Sequence, residues 1–68
     1  MSARSTWQVA GMTCSHCAAS VTEEISEIPG VEGVDVDLET GAVVVTSASP
    51  LGRSAVDAAV AEAGYTLV

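Results

Sequence analysis

Lysine and phenylalanine are absent from this sequence of 68 residues, which contains one tryptophan and one tyrosine. Without lysine, only two arginines oppose nine acidic residues, and the net charge is −7 at pH 7. Phosphate backbones and anionic lipid surfaces are bound by clustered cationic side chains, so we expect neither a nucleic acid nor a membrane as a partner. A protein that binds this chain should present a cationic or otherwise complementary face.

The scarcity of aromatic residues and the short length limit what the interior can hold. A chain of 68 residues can form one domain with one thin core, here built from Val, Ile, Leu and Ala. Such a core is too small to enclose an organic cofactor. We therefore expect a single domain over residues 1–68, with its core in residues 5–68.

Long apolar segments are also missing. The N-terminus MSARSTWQVAGM has no apolar stretch of signal-peptide length, and no run approaches the roughly 18 apolar residues of a membrane span. We therefore expect the chain to stay in the cytoplasm, where thiols are kept reduced. In that compartment, two cysteines three positions apart indicate a metal-binding or redox pair and not a structural disulfide.

Alternating apolar and polar residues predict four strands. The first covers residues 6–10, and the second and third are joined by a tight turn at 39–41 in which glycine supplies a positive φ. A short fourth strand covers residues 65–68. The inward-facing residues of the first three strands are Trp7, Val9, Val34, Val36, Leu38, Val43 and Val45. Val44 breaks the alternation and should lie on the open face of the sheet.

Apolar residues at spacings of three and four predict two helices. The first begins after Thr13 or Ser15, either of which can cap it, and ends at the Pro-Gly pair 29–30. The second begins at the Ser-Pro pair 49–50, and Gly64 follows its end. The apolar stripes consist of Ala18, Val21, Ile25, Ile28, Val56, Ala59, Val60 and Ala63.

The resulting element order is βαββαβ. Two right-handed crossovers on one antiparallel sheet put both helices on the same face. We therefore predict an α+β fold, a ferredoxin-like βαββαβ sandwich with a four-stranded antiparallel sheet and two helices on one face.

Cys14 and Cys17 fall at the junction between the first strand and the first helix. A loop of this kind is exposed, and an (i, i+3) pair at a helix start can turn both sulfurs toward one point. The free amides and the positive dipole end of the helix favour the thiolate form. Two soft thiolates suit Cu(I), which accepts low coordination, whereas zinc usually takes four ligands. The one further plausible ligand is His16, so a single chain cannot build a closed zinc site.

The cysteines belong to a longer motif, GMTCSHCA at residues 11–18, which resembles the GMxCxxC signature of the heavy-metal-associated domain family. The resemblance spans essentially the whole chain, and within the family the chain is most similar to small bacterial copper chaperones of the CopZ type. It implies a cytosolic metallochaperone, not an enzyme, that binds Cu(I) through Cys14 and Cys17. It also implies transfer of the ion by ligand exchange to a copper-transporting P-type ATPase or a copper-responsive repressor.

Details of the motif favour copper over the other metals that the family binds. Mercury-binding members share GMTCxxC, but they are periplasmic and carry a signal peptide. Domains of zinc and cadmium pumps commonly have Asp where this chain has Thr13. A histidine between the cysteines and a tyrosine at the position of Tyr65 are typical of bacterial copper chaperones, whereas eukaryotic copper chaperones tend to carry Lys there.

Three residues near the cysteines are candidates for roles around the metal. Met12 is expected to pack beneath the loop as a core residue and not to bind metal. His16 is expected to tune the thiolates without ligating, with a solvated side chain as the alternative and direct ligation reserved for an oligomer. Tyr65 either packs as a core aromatic or shields the metal loop and hydrogen-bonds toward a sulfur. Because two thiolates leave Cu(I) open on one side, we also expect a copper-promoted homodimer.

Two other functions fit a CxxC pair. An isolated metal-binding domain of a heavy-metal P-type ATPase would carry the same motif, although Met1 before the first strand and a chain end directly after the fourth favour a complete gene product. A thiol-disulfide oxidoreductase of the thioredoxin type also has CxxC at a helix start. It fits less well, because this chain is short, lacks Trp before the first cysteine and has the βαββαβ order.

Overall fold

A computed structural model describes residues 2–68. The elements are β1 (Ala3–Ala10), α1 (Ser15–Ser26), β2 (Val31–Asp37), β3 (Ala42–Ser47), α2 (Arg53–Glu62) and β4 (Thr66–Leu67). The strands form one sheet in the order β2-β3-β1-β4, and each neighbouring pair is antiparallel. The predicted ferredoxin-like α+β sandwich is confirmed.

The core lies between the sheet and the helices. Its fully buried hydrophobic side chains come from both helices and from the interior strand β3, and they are Val21, Ile25, Val43, Val45, Val56 and Val60. Both apolar stripes therefore pack on one face of the sheet. Val44 lies on the opposite face and is partly exposed, as predicted. Neither helix of the described chain has the length and apolar character that crossing a bilayer requires.

The turn between β2 and β3 supports the end of β1. Gly41 has a φ of +78°, as the predicted turn requires, and a Cβ there would lie 2.6 Å from the carbonyl oxygen of Val9. The amide of Val9 donates a 2.9 Å hydrogen bond to the carbonyl of Gly41, and the side-chain amide of Gln8 donates to the carbonyl of Thr40. These contacts fix the residues that lead into the cysteine loop.

Helix α2 begins later than predicted. Its first residue is Arg53 and its N-cap is Gly52, so the predicted start at Ser49-Pro50 is wrong. The hydroxyl of Ser47 donates a 2.6 Å hydrogen bond to the carbonyl of Ser49. That bond holds Ser49 in the bend that follows β3, and residues 50–52 are extended or irregular before the helix begins.

Three strand boundaries also differ from the prediction. β1 begins at Ala3, earlier than the predicted start, because Ala3, Arg4 and Ser5 pair with the last residues of β3. Leu38 is 37% exposed in the turn after β2 and is not an inward-facing strand residue, so that prediction is wrong. β4 is limited to Thr66–Leu67, shorter than predicted.

Candidate metal centre

The cysteines lie where the chain passes from β1 into α1. Gly11 follows the last residue of β1 with a φ of +97° and redirects the chain. Cys14 is the N-cap of α1, with an extended backbone (φ −152°, ψ 171°), and the helix has no side-chain cap hydrogen bond. The predicted capping by Thr13 or Ser15 is therefore wrong. The N-cap position belongs to a cysteine.

The first turn of α1 brings the two sulfur atoms together. The carbonyl of Cys14 accepts hydrogen bonds from the amides of Cys17, at 3.1 Å, and Ala18, at 3.2 Å. The Sγ atoms of Cys14 and Cys17 are 3.4 Å apart, and both thiols are free. This distance is well above the roughly 2.05 Å of a disulfide, and it is short enough for one ion to contact both sulfurs.

The two thiols differ in their exposure. Cys14 is exposed to solvent, whereas Cys17 is half-buried and packs against the core. The site lies on a surface loop, in which Thr13, Cys14 and Ser15 are all exposed. An incoming group can therefore reach Cys14 directly, while Cys17 is held by the domain.

The surroundings of Cys17 favour its thiolate. The pKa of Cys17 is lowered from 9.0 to about 6, first by a backbone hydrogen bond from Thr13, then by side-chain hydrogen bonds from Tyr65 and Cys14. Desolvation acts in the opposite direction and is outweighed. The lowered pKa of Cys17 favours the thiolate, which is the form that binds metal ions.

Tyr65 lies at the edge of the cysteine loop. Its amide donates a 3.1 Å hydrogen bond to the carbonyl of Val60, at the end of α2, and its half-buried ring packs against the core. The hydrogen bond to Cys17 raises the pKa of Tyr65. The packed ring agrees with one of the two interpretations of Tyr65 that the sequence offers, and the role of its hydroxyl at a sulfur stays a prediction.

Met12 and His16 lie in different environments near the sulfur pair. Met12 is 8% exposed and belongs to the core beneath the loop. His16 is exposed on α1. Within residues 2–68, no group of three or more His, Cys, Asp or Glu side chains is placed to hold a metal ion. The donor set assembled by the fold is the pair of sulfurs.

Two contributors to the site are not evident from the sequence pattern. Gly11 ends a strand in that pattern, but a Cβ at this position would lie 3.3 Å from Cδ1 of Tyr65, so its missing side chain also leaves room for the ring. Thr13 is a residue type that often caps helices. It acts on Cys17 through its backbone, because the backbone hydrogen bond from Thr13 is the largest of the causes that lower the pKa of Cys17. Every residue except proline has a backbone donor, so the residue type at position 13 does not indicate this hydrogen bond. A glycine after a strand, in contrast, does suggest a positive φ.

Residues 6–66 match the heavy-metal-associated domain. The chain belongs to the heavy-metal-associated domain family. The COP-associated protein of Helicobacter felis is 37% identical to it over 59 residues, which cover 87% of this chain and 89% of that protein. The zinc/cadmium/lead-transporting P-type ATPase of Shigella sonnei is 38% identical over 64 residues, which cover 94% of this chain and 9% of that protein.

A solved structure of the CopZ metallochaperone has the same fold as this chain. It matches with a TM-score of 0.89 and 34% identity, covering 97% of this chain and 100% of that one. The relatives of this heavy-metal-associated domain thus include both small proteins of its own length and a segment of a much longer P-type ATPase.

Proposed function

We propose that this heavy-metal-associated domain is a copper(I) metallochaperone that carries Cu(I) between the thiolates of Cys14 and Cys17. The supporting observation is the exposed sulfur pair, 3.4 Å apart at a helix start. Residues 2–68 assemble no third His, Cys, Asp or Glu beside that pair. Two soft thiolates satisfy Cu(I), whereas Zn(II) would be left short of its usual four ligands.

The different exposure of the two thiols suits transfer by ligand exchange. A thiolate of the partner can bind the ion on the side of Cys14, while the half-buried Cys17 still holds it. The new Cu–S bond forms before the bond to Cys14 breaks, so the ion never dissociates into solution. Because the mechanism needs both thiols reduced, the cytoplasm is the compartment that fits it.

A metal-binding domain of a copper-transporting P-type ATPase is the partner we propose, with a copper-responsive repressor as the second choice. The similarity to a segment of a P-type ATPase supports the first, since donor and acceptor would then share one fold. The partner surface should be cationic. Glu24 has a raised pKa because of partial desolvation and then because of its acidic neighbours Glu27, Glu62 and Glu23, so both helices contribute negative charge to one surface.

The same similarity supports a second candidate, a metal-binding domain of a heavy-metal P-type ATPase. The sulfur pair would serve either function, so the metal that the chain prefers is the property that distinguishes the two. A domain that serves a zinc pump should prefer Zn(II) to Cu(I). No observation favours the oxidoreductase, because the sandwich has the ferredoxin-like order.

The proposal is tested by a Cu(I) titration against a competing chelator, with native mass spectrometry to identify each species and parallel titrations with Zn(II) and Hg(II). We expect one tightly bound Cu(I) per chain and much weaker Zn(II) binding. Cys14→Ser and Cys17→Ser should each abolish tight binding and keep the far-ultraviolet circular dichroism of the parent. Ser15→Ala is the matched control, because Ser15 is an exposed residue between the cysteines. Tight Cu(I) binding by either cysteine variant, or a preference for Zn(II), contradicts the proposal.

A further inference from the structure

Val44 is an apolar side chain that the core does not use. Its neighbours in β3, Val43 and Val45, are fully buried beneath the helices, whereas Val44 is partly exposed on the other face of the sheet. That face, the open face, is not covered by either helix, and β3 is an interior strand of the sheet. Val44 thus lies near the middle of an uncovered sheet surface, where an apolar side chain can contact another molecule.

Two exposed residues of opposite charge lie symmetrically about Val44. Arg4 of β1 pairs with Thr46, two residues after Val44. Asp37 of β2 pairs with Ala42, two residues before Val44. Paired residues share a face of the sheet, so both charges lie on the open face. With strands about 4.8 Å apart and residues about 3.3 Å apart along each strand, both charges lie about 8 Å from Val44, in opposite directions.

This symmetry makes the open face complementary to itself. In a dimer with a two-fold axis, a contact from one residue to another is always matched by the reciprocal contact. A two-fold axis that passes over Val44, in the plane between two facing sheets, places Arg4 of each copy opposite Asp37 of the other. The two Val44 side chains then meet at the centre.

The shape of the open face suits this arrangement. Val44 borders two shallow depressions, one lined by Arg4 and the other by Asp37 and Glu39. In the two-fold arrangement, Arg4 of the second copy faces the depression that contains the two carboxylates. Asp37 is held there by the turn, because its Oδ1 accepts a 3.0 Å hydrogen bond from the amide of Glu39. A guanidinium group is well suited to pair with a carboxylate that is fixed in this way.

The size of the surface and the charge of the chain make such a dimer weak. Three strands of about six residues give a patch about 14 Å wide and about 20 Å long, so two copies bury well under the roughly 1,200 Å² of a typical specific interface. The net charge of −7 opposes association. Part of that charge is distant, because five of the nine acidic residues belong to the helices or their caps and physiological salt screens charges beyond about 8 Å. These five residues are Glu23, Glu24, Glu27, Asp57 and Glu62.

We propose that the open face of the sheet is a self-association surface, on which two copies of this chain pack about Val44 with reciprocal ion pairs between Arg4 and Asp37. This dimer uses neither Cys14 nor Cys17 and needs no metal. It is therefore independent of the proposed copper function and distinct from the copper-promoted dimer. Far below its dissociation constant, the metal-free chain is a monomer.

Sedimentation equilibrium of the metal-free protein, with a reductant and a metal chelator present, measures the association. We expect a reversible dimer with a Kd of roughly 0.1–1 mM, as suits a small interface. Arg4→Glu and Asp37→Arg should each weaken it about tenfold or more, because each variant places like charges opposite each other twice. Asp37→Arg also makes the net charge less negative, so general repulsion between chains predicts the opposite change for that variant.

A mixture of the two single variants tests the two-fold arrangement itself. In a mixed dimer, the carboxylate introduced at position 4 faces the guanidinium introduced at position 37. The unchanged Asp37 of the first copy then faces the unchanged Arg4 of the second. An equimolar mixture should therefore associate within about threefold of the parent, although neither variant associates alone, and the double variant Arg4→Glu/Asp37→Arg should do the same.

Two matched controls make the same charge changes on the helix side of the molecule. Arg53→Glu and Asp57→Arg alter exposed residues of α2 and should leave the Kd within about threefold of the parent. If Asp37→Arg does not fold, Asp37→Asn keeps the acceptor of the turn hydrogen bond, removes the charge and should still weaken the dimer about threefold.

The inference is overturned by a parent that remains monomeric at about 1 mM, a concentration at which the expected dimer is substantially populated. An unchanged Kd in Arg4→Glu or Asp37→Asn overturns it as well. So do a mixture of the single variants that fails to associate, and equal losses in the α2 controls.

Discussion

Protonation of Cys17 sets the pH at which Cu(I) binding should begin to weaken. The ion needs a thiolate, so it must displace a proton wherever the free thiol is protonated. The pKa of Cys17 is lowered to about 6, so well above that pH this residue gives up no proton on binding. Below it, Cys17 alone should weaken binding about tenfold per pH unit, which makes the loss about twofold at pH 6 and about tenfold at pH 5.

The assay is a series of chelator competitions from pH 5 to pH 8, with the chelator calibrated at each pH. As the pH falls through about 6, the slope of log Kd against pH should become steeper by one unit, because one more proton is released for each Cu(I) bound. Tyr65→Phe should move that inflection to higher pH, because the hydrogen bond from Tyr65 is the second largest of the causes that lower the pKa of Cys17. Ser15→Ala should leave the inflection in place.

A constant slope across the whole range would refute the reasoning, because Cys17 would then titrate outside it. So would an inflection that remains near pH 6 in Tyr65→Phe, because the hydroxyl would then have no effect on the thiolate. Ultraviolet absorbance of the thiolate in the metal-free protein gives the same midpoint independently of copper.

Three further predictions concern the histidine, the assembly and the core. His16→Ala should change the rate of Cu(I) exchange with a partner thiol and keep tight binding, as stopped-flow measurements can check; an unchanged rate would rule out its tuning role. Copper loading should produce a dimer with two facing CxxC loops, favoured by added salt, which screens the −7 charge of each chain. A monomeric sedimentation coefficient at every loading would rule the dimer out. Ile25→Ala, at a fully buried position, should lower the free energy of urea unfolding by about 2–5 kcal/mol, against less than about 0.5 for the exposed Ser26→Ala. A loss below about 1 kcal/mol would mean that α1 is not packed as described.

The sheet and the helix stripes could be predicted because burial imposes a period on the sequence. Val43 and Val45 face the core while Val44 does not, and the sequence indicates this alternation directly. The positive φ at Gly41 was equally predictable, since a tight hairpin turn favours glycine. The cysteine loop followed from the same pattern, because the two cysteines fall between a strand and a helix whose existence is set by hydrophobic periodicity.

The features that could not be predicted depend on contacts between residues distant in sequence, or on the backbone. Ser49-Pro50 has the composition of a helix start, but the hydrogen bond from Ser47 draws it into the bend after β3. The first three residues of β1, Ala3–Ser5, include no large apolar side chain and show no apolar alternation, so only pairing with β3 makes them a strand. The contact between Gly11 and Tyr65 joins residues from opposite ends of the chain, which no local pattern reveals.

The central claim, that Cys14 and Cys17 hold Cu(I) as thiolates, is tested most directly by X-ray absorption at the copper edge on protein loaded with less than one Cu(I) per chain. The account predicts a first coordination shell of sulfur alone, because the fold brings together two sulfurs and residues 2–68 assemble no third His, Cys, Asp or Glu beside them. A loaded dimer with shared thiolates would give the same shell. A nitrogen or oxygen ligand in that shell, or an unchanged spectrum in Cys17→Ser, would contradict the account.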